Sequence, residues 1–178
     1  MKLNSLRVCF FVAVIAALIA PAASYTKKPP PGGANQMKAI GGKFGTWVFN
    51  GRWRLKITAY ESVPHQDGGA YFSKNAENHW IVFRGLLRNG TSAPAKTWFA
   101  SVWANDADGV AHPCYTLVNG PPPIQAGDVV LPPGGATPLR FPCEVPLDFK
   151  PVSLLMVPGF SESKPFRIGG LPAPKIVH

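Results

Sequence analysis

The chain has 178 residues, of which 20 are proline and 18 glycine, and only 15% are charged; that length supplies one domain once terminal segments are set aside, and that composition works against helices. The formal net charge is +9 at pH 7, which favours loose attraction to anionic partners. The cations are scattered, however, with no run longer than Lys27-Lys28 and no recognition-helix or aromatic-rich nucleic-acid motif beside them, which argues against a specific nucleic-acid partner.

Met1 to Arg7 carries Lys2 and Arg7 and no acid, and Val8 to Ala20 is an unbroken apolar run followed by Pro21 and the small residues Ala22-Ala23-Ser24. Residues 1–24 therefore read as a secretory signal peptide, cut before Ala23 or Tyr25. As a helix the apolar run spans only about 20 Å, short of the roughly 30 Å hydrocarbon core of a bilayer, so a cleaved leader is expected rather than an anchor. No later segment has the length and apolarity for an integral membrane span. The expected location is secreted or periplasmic.

Residues 25–44 contain Pro29-Pro30-Pro31-Gly32-Gly33 and Gly41-Gly42 and read as a linker, because consecutive prolines favour extended polyproline geometry and paired glycines lose too much entropy on ordering. Residues 45–168 read as the folded domain, and residues 169–178, with Gly170, Pro172 and Pro174, as a loose tail.

Within the domain the hydrophobic period is two. Trp53, Leu55, Ile57 and Ala59 alternate with Arg52, Arg54, Lys56 and Thr58, which predicts a half-buried strand with its cations on one face. Trp80 to Arg88 is a longer β-rich run ended by Asn89-Gly90-Thr91, and Thr97 to Ala104 sets Trp98, Ala100 and Val102 against Phe99, Ser101 and Trp103. Asp106-Ala107-Asp108-Gly109 supplies turn chemistry. Val110 to Val118 returns as a strand, Val129 to Leu131 leads to the turn Pro132-Pro133-Gly134-Gly135, and Thr137 to Glu144, Val152 to Val157 and an edge segment Phe166 to Ile168 complete the set. Seven or eight short strands predict an all-β fold, an immunoglobulin-like antiparallel β-sandwich, with a small β-barrel as the alternative.

With Cys9 inside the leader, Cys114 and Cys143 remain as an even pair in an exported chain and are expected to form a disulfide. Cys114 has His112 nearby, but further ligands at standard spacing are lacking, so no metal site is expected.

The order Trp53-Arg54-Leu55-Lys56-Ile57, Phe83 to Thr91, Asp106-Ala107-Asp108-Gly109, Leu131-Pro132-Pro133-Gly134, Leu139-Arg140-Phe141 into Val145-Pro146, then Leu154-Leu155 resembles a bacterial secreted immunoglobulin-like family of unknown function. That family is often found in lipoproteins and is sometimes labelled after a telomere-repeat-binding factor. The resemblance covers Trp53 to Ile168 and implies an immunoglobulin-like sandwich with no established catalytic residues. Two features depart from the family: there is no lipobox cysteine, and the Cys114 and Cys143 pair is not something it requires.

Asp106 and Asp108 have the spacing with which a calcium loop begins, but no acid stands twelve positions on, and a tight hairpin turn is the expected role. Among the five tryptophans, Trp47 and Trp98 are the candidates for exposed binding residues, the others being expected in the core. His65, His79 and His112 share no ligand spacing and are expected at the surface. No Gly-x-Ser-x-Gly elbow and no carboxylate pair is evident, so no enzymatic activity and no cofactor is expected. Asn89-Gly90-Thr91 fits both a glycosylation sequon and an Asn-Gly turn. The expected function is a non-catalytic module binding a protein or glycan of the cell envelope or medium, the alternative a carbohydrate-binding module that uses exposed Trp residues.

Overall fold

The computed structural model describes residues 37–63, 75–118, 124–125, 129–159 and 163–176, so the expected leader and most of the expected linker lie outside the described residues. These residues form strands and no helix: β1 (Ile40–Lys43), β2 (Val48–Phe49), β3 (Trp53–Val63), β4 (Asn78–Asn89), β5 (Ala95–Lys96), β6 (Phe99–Asn105), β7 (Ala111–Cys114), β8 (Leu117–Val118), β9 (Ile124–Gln125), β10 (Val130–Leu131), β11 (Ala136–Pro146), β12 (Ser153–Pro158), β13 (Phe166–Gly169) and β14 (Lys175–Ile176). The all-β expectation holds, and no described helix is long and apolar enough to cross a membrane.

One layer is built on the antiparallel trio β3, β4 and β11, extended by β2 and β14 on β3 and by β8 and β9 beyond β11; the other runs β1, β13, β12, β6 and β7. The short strand β7 pairs with β6 on one side and touches β11 on the other through a single residue pair, Cys143 opposite Cys114. The two layers are therefore one curled sheet wrapped round a common core. β10 and β5 form a separate two-stranded ribbon.

Two boundaries and one edge assignment differ from the sequence reading. Residues 40–43, assigned to the linker, form β1 and pair in parallel with β13, so Phe166 to Ile168 is not an edge. Residues 175–176, assigned to the tail, pair in parallel with β3. The sheet is thus mixed rather than wholly antiparallel. Hydrogen bonds to an open strand edge offset the lost entropy of Gly41 and Gly42, a long-range effect invisible to local composition.

The alternation on β3 holds from Trp53 to Ile57 and then slips. The ladder shifts register between Ile57 and Ala59, an extra residue that inverts the in-and-out phase. Tyr60, not Ala59, then turns inward, where its ring stacks on Phe83 at 4.9 Å with planes 10° apart. A second slip, where Pro158 pairs with Phe99 after Val157 pairs with Ser101, lets both Phe99 and Val102 enter the core. The expected opposition of Trp98, Ala100 and Val102 to Phe99, Ser101 and Trp103 is broken there. Phe99 meets Phe141 edge-on at 5.9 Å across the core, tying the two layers together.

The turns carry side-chain logic. Asp106 Oδ1 accepts from the Val110 amide at 2.8 Å, and Gly109, at φ +83°, completes the hairpin between β6 and β7. At Pro132 to Gly135 the Gly135 amide donates to the Pro132 carbonyl at 2.9 Å, with Gly134 at φ +70°, as a turn of the Pro-Gly kind requires.

Asn89 does not make the expected Asn-Gly turn, since Gly90 has no positive φ. Its side chain is 1% exposed. Nδ2 donates to the Ala93 carbonyl at 2.7 Å and the Leu131 carbonyl at 3.0 Å, while Oδ1 accepts from the Thr91 amide at 2.9 Å and hydroxyl at 2.8 Å. This amide bolts the 90–97 segment to β10. A glycan on Nδ2 requires that nitrogen free at the surface, so the sequon here is a structural clamp.

The Cys114–Cys143 disulfide is formed, with Cα atoms 4.1 Å apart and a sequence separation of 29. It reinforces the seam where β7 and β11 share one ladder pair. His79, expected at the surface, is 8% exposed and its Nδ1 has no hydrogen-bond partner among the described residues; burial pushes its pKa below the ordinary 6.5.

Three outcomes follow from these clamps. Replacing both cysteines by alanine lowers stability by about 3 kcal/mol, read as a fall of roughly 10 °C in the thermal midpoint, and an unchanged midpoint removes the seam's importance. Asn89→Asp, which turns two donors into acceptors facing carbonyls, costs about 3 kcal/mol; a loss no greater than that of a surface change contradicts the clamp. Because the folded His79 resists protonation, the unfolded chain binds the extra proton as pH drops below 6.5, so stability is present above that pH and declines beneath it. Thermal melts from pH 7.5 to pH 5 should show this decline, and His79→Leu should reduce it, leaving the share that His112, also lowered by burial, contributes.

Candidate functional site

Alternation along the trio decides what reaches solvent. Leu55 and Ile57 on β3, Phe83 and Leu87 on β4, and Leu139 and Phe141 on β11 are buried. Between them Arg54, Lys56, Arg84, Arg88 and Arg140 stand on the opposite, outward face. The register sets these cations in rows: Arg54 lies opposite Arg88, and Arg84 lies opposite Arg140. Rows of like charge on facing strands are destabilising.

Two aromatic residues flank this array. Trp47 and Phe49 are 42% and 41% exposed. The Arg88 guanidinium lies 5.5 Å from the Trp47 ring centroid, and that of Arg54 lies 4.6 Å from Phe49. Phe49 in turn lies against Gly90, where an added Cβ would come within 2.6 Å of its ring. Such contacts hold a planar guanidinium over a ring while its remaining N–H groups stay available to an anion. Two described acids share this side of the trio. Glu61 pairs with Arg84 at 2.9 Å, and Glu144, four residues beyond Arg140 on β11, accepts from Asn78 Nδ2 at 3.2 Å. Arg140 Nε is shielded from solvent without a hydrogen-bond partner among the described residues. Arg52, expected with these cations, precedes β3, and its guanidinium lies 5.9 Å from the Trp53 ring.

The other sequence candidates fall elsewhere. Trp98, 48% exposed, precedes β6 and lies flat against Gly159, where a Cβ would meet its ring at 2.3 Å; one ring face is covered by backbone. Trp53 and Trp80 are buried, whereas Trp103, also expected in the core, is half-buried. Asp106 and Asp108 border a depression of about 450 Å3 with His112, Asp148, Phe149 and Lys150. His112 is half-buried rather than at the surface, its ring 4.4 Å from that of Phe149. Burial lowers its pKa, opposed by the negative charge of Asp106. No group of three or more metal-ligating side chains is gathered among the described residues, and Asp106 Oδ1 is engaged by its own turn. His65 lies outside the described residues.

Sequence reasoning placed the cations of β3 on one face but missed that β4 and β11 add theirs to it. The available signal was the apolar-cation alternation of Phe83-Arg84 and Leu87-Arg88 and the Leu139-Arg140-Phe141 triplet. Phe49 was missed because a two-residue strand has no period to read.

The architecture is that of known β-sandwich proteins. An uncharacterised β-sandwich protein from Clostridium difficile is similar at a TM-score of 0.53 and 11% identity, over 76% of this chain and 97% of that one. MPT63, a secreted protein from Mycobacterium tuberculosis, is similar at 0.52 and 15% identity, over 74% and 98% of the two chains. At such identities the likeness establishes the β-sandwich fold. No protein-family model and no curated protein matches the sequence, so the narrower family resemblance drawn from the turn motifs gains no support.

Proposed function

We propose that this chain is an exported, non-catalytic β-sandwich module that binds an envelope or extracellular partner on the outward face of β3, β4 and β11. The observation that carries this reading is the like-charge row Arg54 opposite Arg88, next to Arg84 opposite Arg140, a second row that Glu61 offsets through Arg84. An arrangement that costs stability, kept in order by stacking on Trp47 and Phe49, is the kind of local conflict that binding surfaces retain. Export is supported by the leader pattern of residues 1–24, by a formed disulfide and by fold similarity to a secreted protein. The bacterial secreted immunoglobulin-like family remains the parentage suggested by the turn motifs. A non-catalytic role is supported by the use of Asp106 within its own turn and of His112 against Phe149.

A second reading, a carbohydrate-binding module centred on Trp98, is favoured by the 48% exposure of that side chain and by the flat seat that Gly159 gives its ring. The two readings separate by mutation. In sedimentation with insoluble cell-envelope material, the double variant Arg54→Glu, Arg88→Glu should lose about tenfold in bound fraction. Its stability should stay within about 1 kcal/mol of the parent, because the like-charge pair only changes sign while the two carboxylates gain attraction to Lys56 on the same face, which offsets the lost ring contacts. Trp98→Ala should bind as the parent does, and so should Lys150→Glu, a reversal at the depression beside Asp106. Loss of binding in Trp98→Ala alone moves the site to that ring, and equal binding by all four proteins removes the sheet-face reading.

A further inference from the structure

We infer that the occupant of the arginine face is an acidic polysaccharide, a polymer whose repeating carboxylates are met by Arg54, Lys56, Arg84, Arg88 and Arg140. This rests on the binding-face reading above and adds the ligand's chemistry.

The shape of the face argues for a polymer. Two depressions bordered by described residues, one lined by Asn78, Pro113, Cys114, Tyr115 and Glu144 and the other by the Asp106 to Lys150 group, lie away from these five cations, which stand on an extended three-strand face. A small molecule on an open sheet face is left mostly in water, whereas specific small-ligand sites bury most of their ligand. A chain laid across the face makes many shallow contacts at once, each weak and together sufficient. Side chains on one face repeat about every 7 Å along a strand and about 5 Å between strands. Arg84 and Arg88 bracket Leu86 on β4, with Arg54 and Lys56 on one side and Arg140 on the other, so the cations form a two-dimensional grid that a linear polyanion can cross at several points.

Charge decides the sign of the ligand. Five cations share their face with two described acids, and both acids are engaged, Glu61 by Arg84 and Glu144 by Asn78. Bringing a polyanion onto the grid neutralises the opposed arginines and releases the counterions of the polymer, so association is driven by charge and weakens with salt. The planar guanidinium matches a carboxylate with two parallel N–H bonds, an advantage lysine lacks, and four of the five cations are arginine.

The aromatic flank decides between classes of polyanion. Trp47 and Phe49 each hold a guanidinium over the ring. Sinking those rings into a bilayer drags a charge towards hydrocarbon, which is costly. Single-stranded nucleic acid is held by bases stacked on open ring faces, and here an arginine lies over one face of each ring. A sugar acid asks instead for the guanidinium itself, with the ring beneath as support. The oxidised Cys114–Cys143 pair also fits an extracytoplasmic compartment, where acidic glycans are the abundant polyanions.

The test is a direct binding titration of the disulfide-intact protein with polygalacturonate, alongside neutral dextran, an oligothymidylate and phosphatidylglycerol vesicles. The inference expects polygalacturonate to bind, to weaken by about tenfold or more between roughly 50 and 200 mM NaCl, and to lose about tenfold in the Arg54→Glu, Arg88→Glu variant. Lys150→Glu, a charge reversal away from the face with half the double variant's change in net charge, should change binding by less than about twofold. Dextran binding as strongly as polygalacturonate overturns the acidic requirement. Tighter binding of the oligonucleotide or of the vesicles replaces the polysaccharide with that partner. If envelope material is still bound through the arginines while polygalacturonate is not, the ligand class is wrong and the binding-face reading stands; if the arginine variant loses nothing with any probe or with envelope material, both fall.

Discussion

Strand β4 is paired along both sides for almost its entire length, with ten partners on β3 and eleven on β11, and this double ladder sets the rest of the molecule. Because side chains alternate strictly across a strand, the register that drives Leu55, Phe83, Leu87, Leu139 and Phe141 into the core simultaneously lifts Arg54, Arg84, Arg88 and Arg140 to the outward face. Core and candidate binding face are two readouts of the same hydrogen-bond pattern. A one-residue slip on any of the three strands would bury a guanidinium and expose a leucine or phenylalanine, so the like-charge rows are held in place by the hydrophobic energy on the other side.

Around that ladder the fold closes by a few localised fastenings. The single β7–β11 pair carries the disulfide, Phe99 and Phe141 meet between layers, and the Asn89 amide fixes the 90–97 segment to the β10 region through both of its ends. Each acts where regular pairing is thin. The concentration of covalent and side-chain hydrogen bonds at those points is consistent with a domain of modest size, whose core leaves little stability to spare.

The functional reading differs from that of an enzyme in how its polar groups are arranged. Catalytic side chains converge on a cavity where water is excluded and charges are tuned against one another. Here the densest charge is spread over an open sheet, two of its guanidiniums stacked on rings. The acids and the half-buried histidine near Asp106 sit apart from it, partly consumed by a hairpin and a ring contact. That division of labour, with structural polar groups in turns and cations on a flat face, is what the proposed binding role draws on.

Much of this is legible in the amino-acid sequence itself. Proline and glycine content, the two-residue period of β3, the turn chemistry at Asp106 and Pro132, and the even cysteine pair all act over a few residues or through solvent and redox conditions, so they specify strand, turn and disulfide locally. What the chain alone leaves open depends on partners distant in sequence. The bulge at Thr58, the parallel edge strands at residues 40–43 and 175–176, the burial of His79 and of the Asn89 amide, and the gathering of cations from three strands arise only when registers are chosen. Register is settled by the summed burial of the whole core rather than by any local preference, and for that reason the face where the proposed ligand lies belongs to the tertiary structure and to no single segment of the sequence.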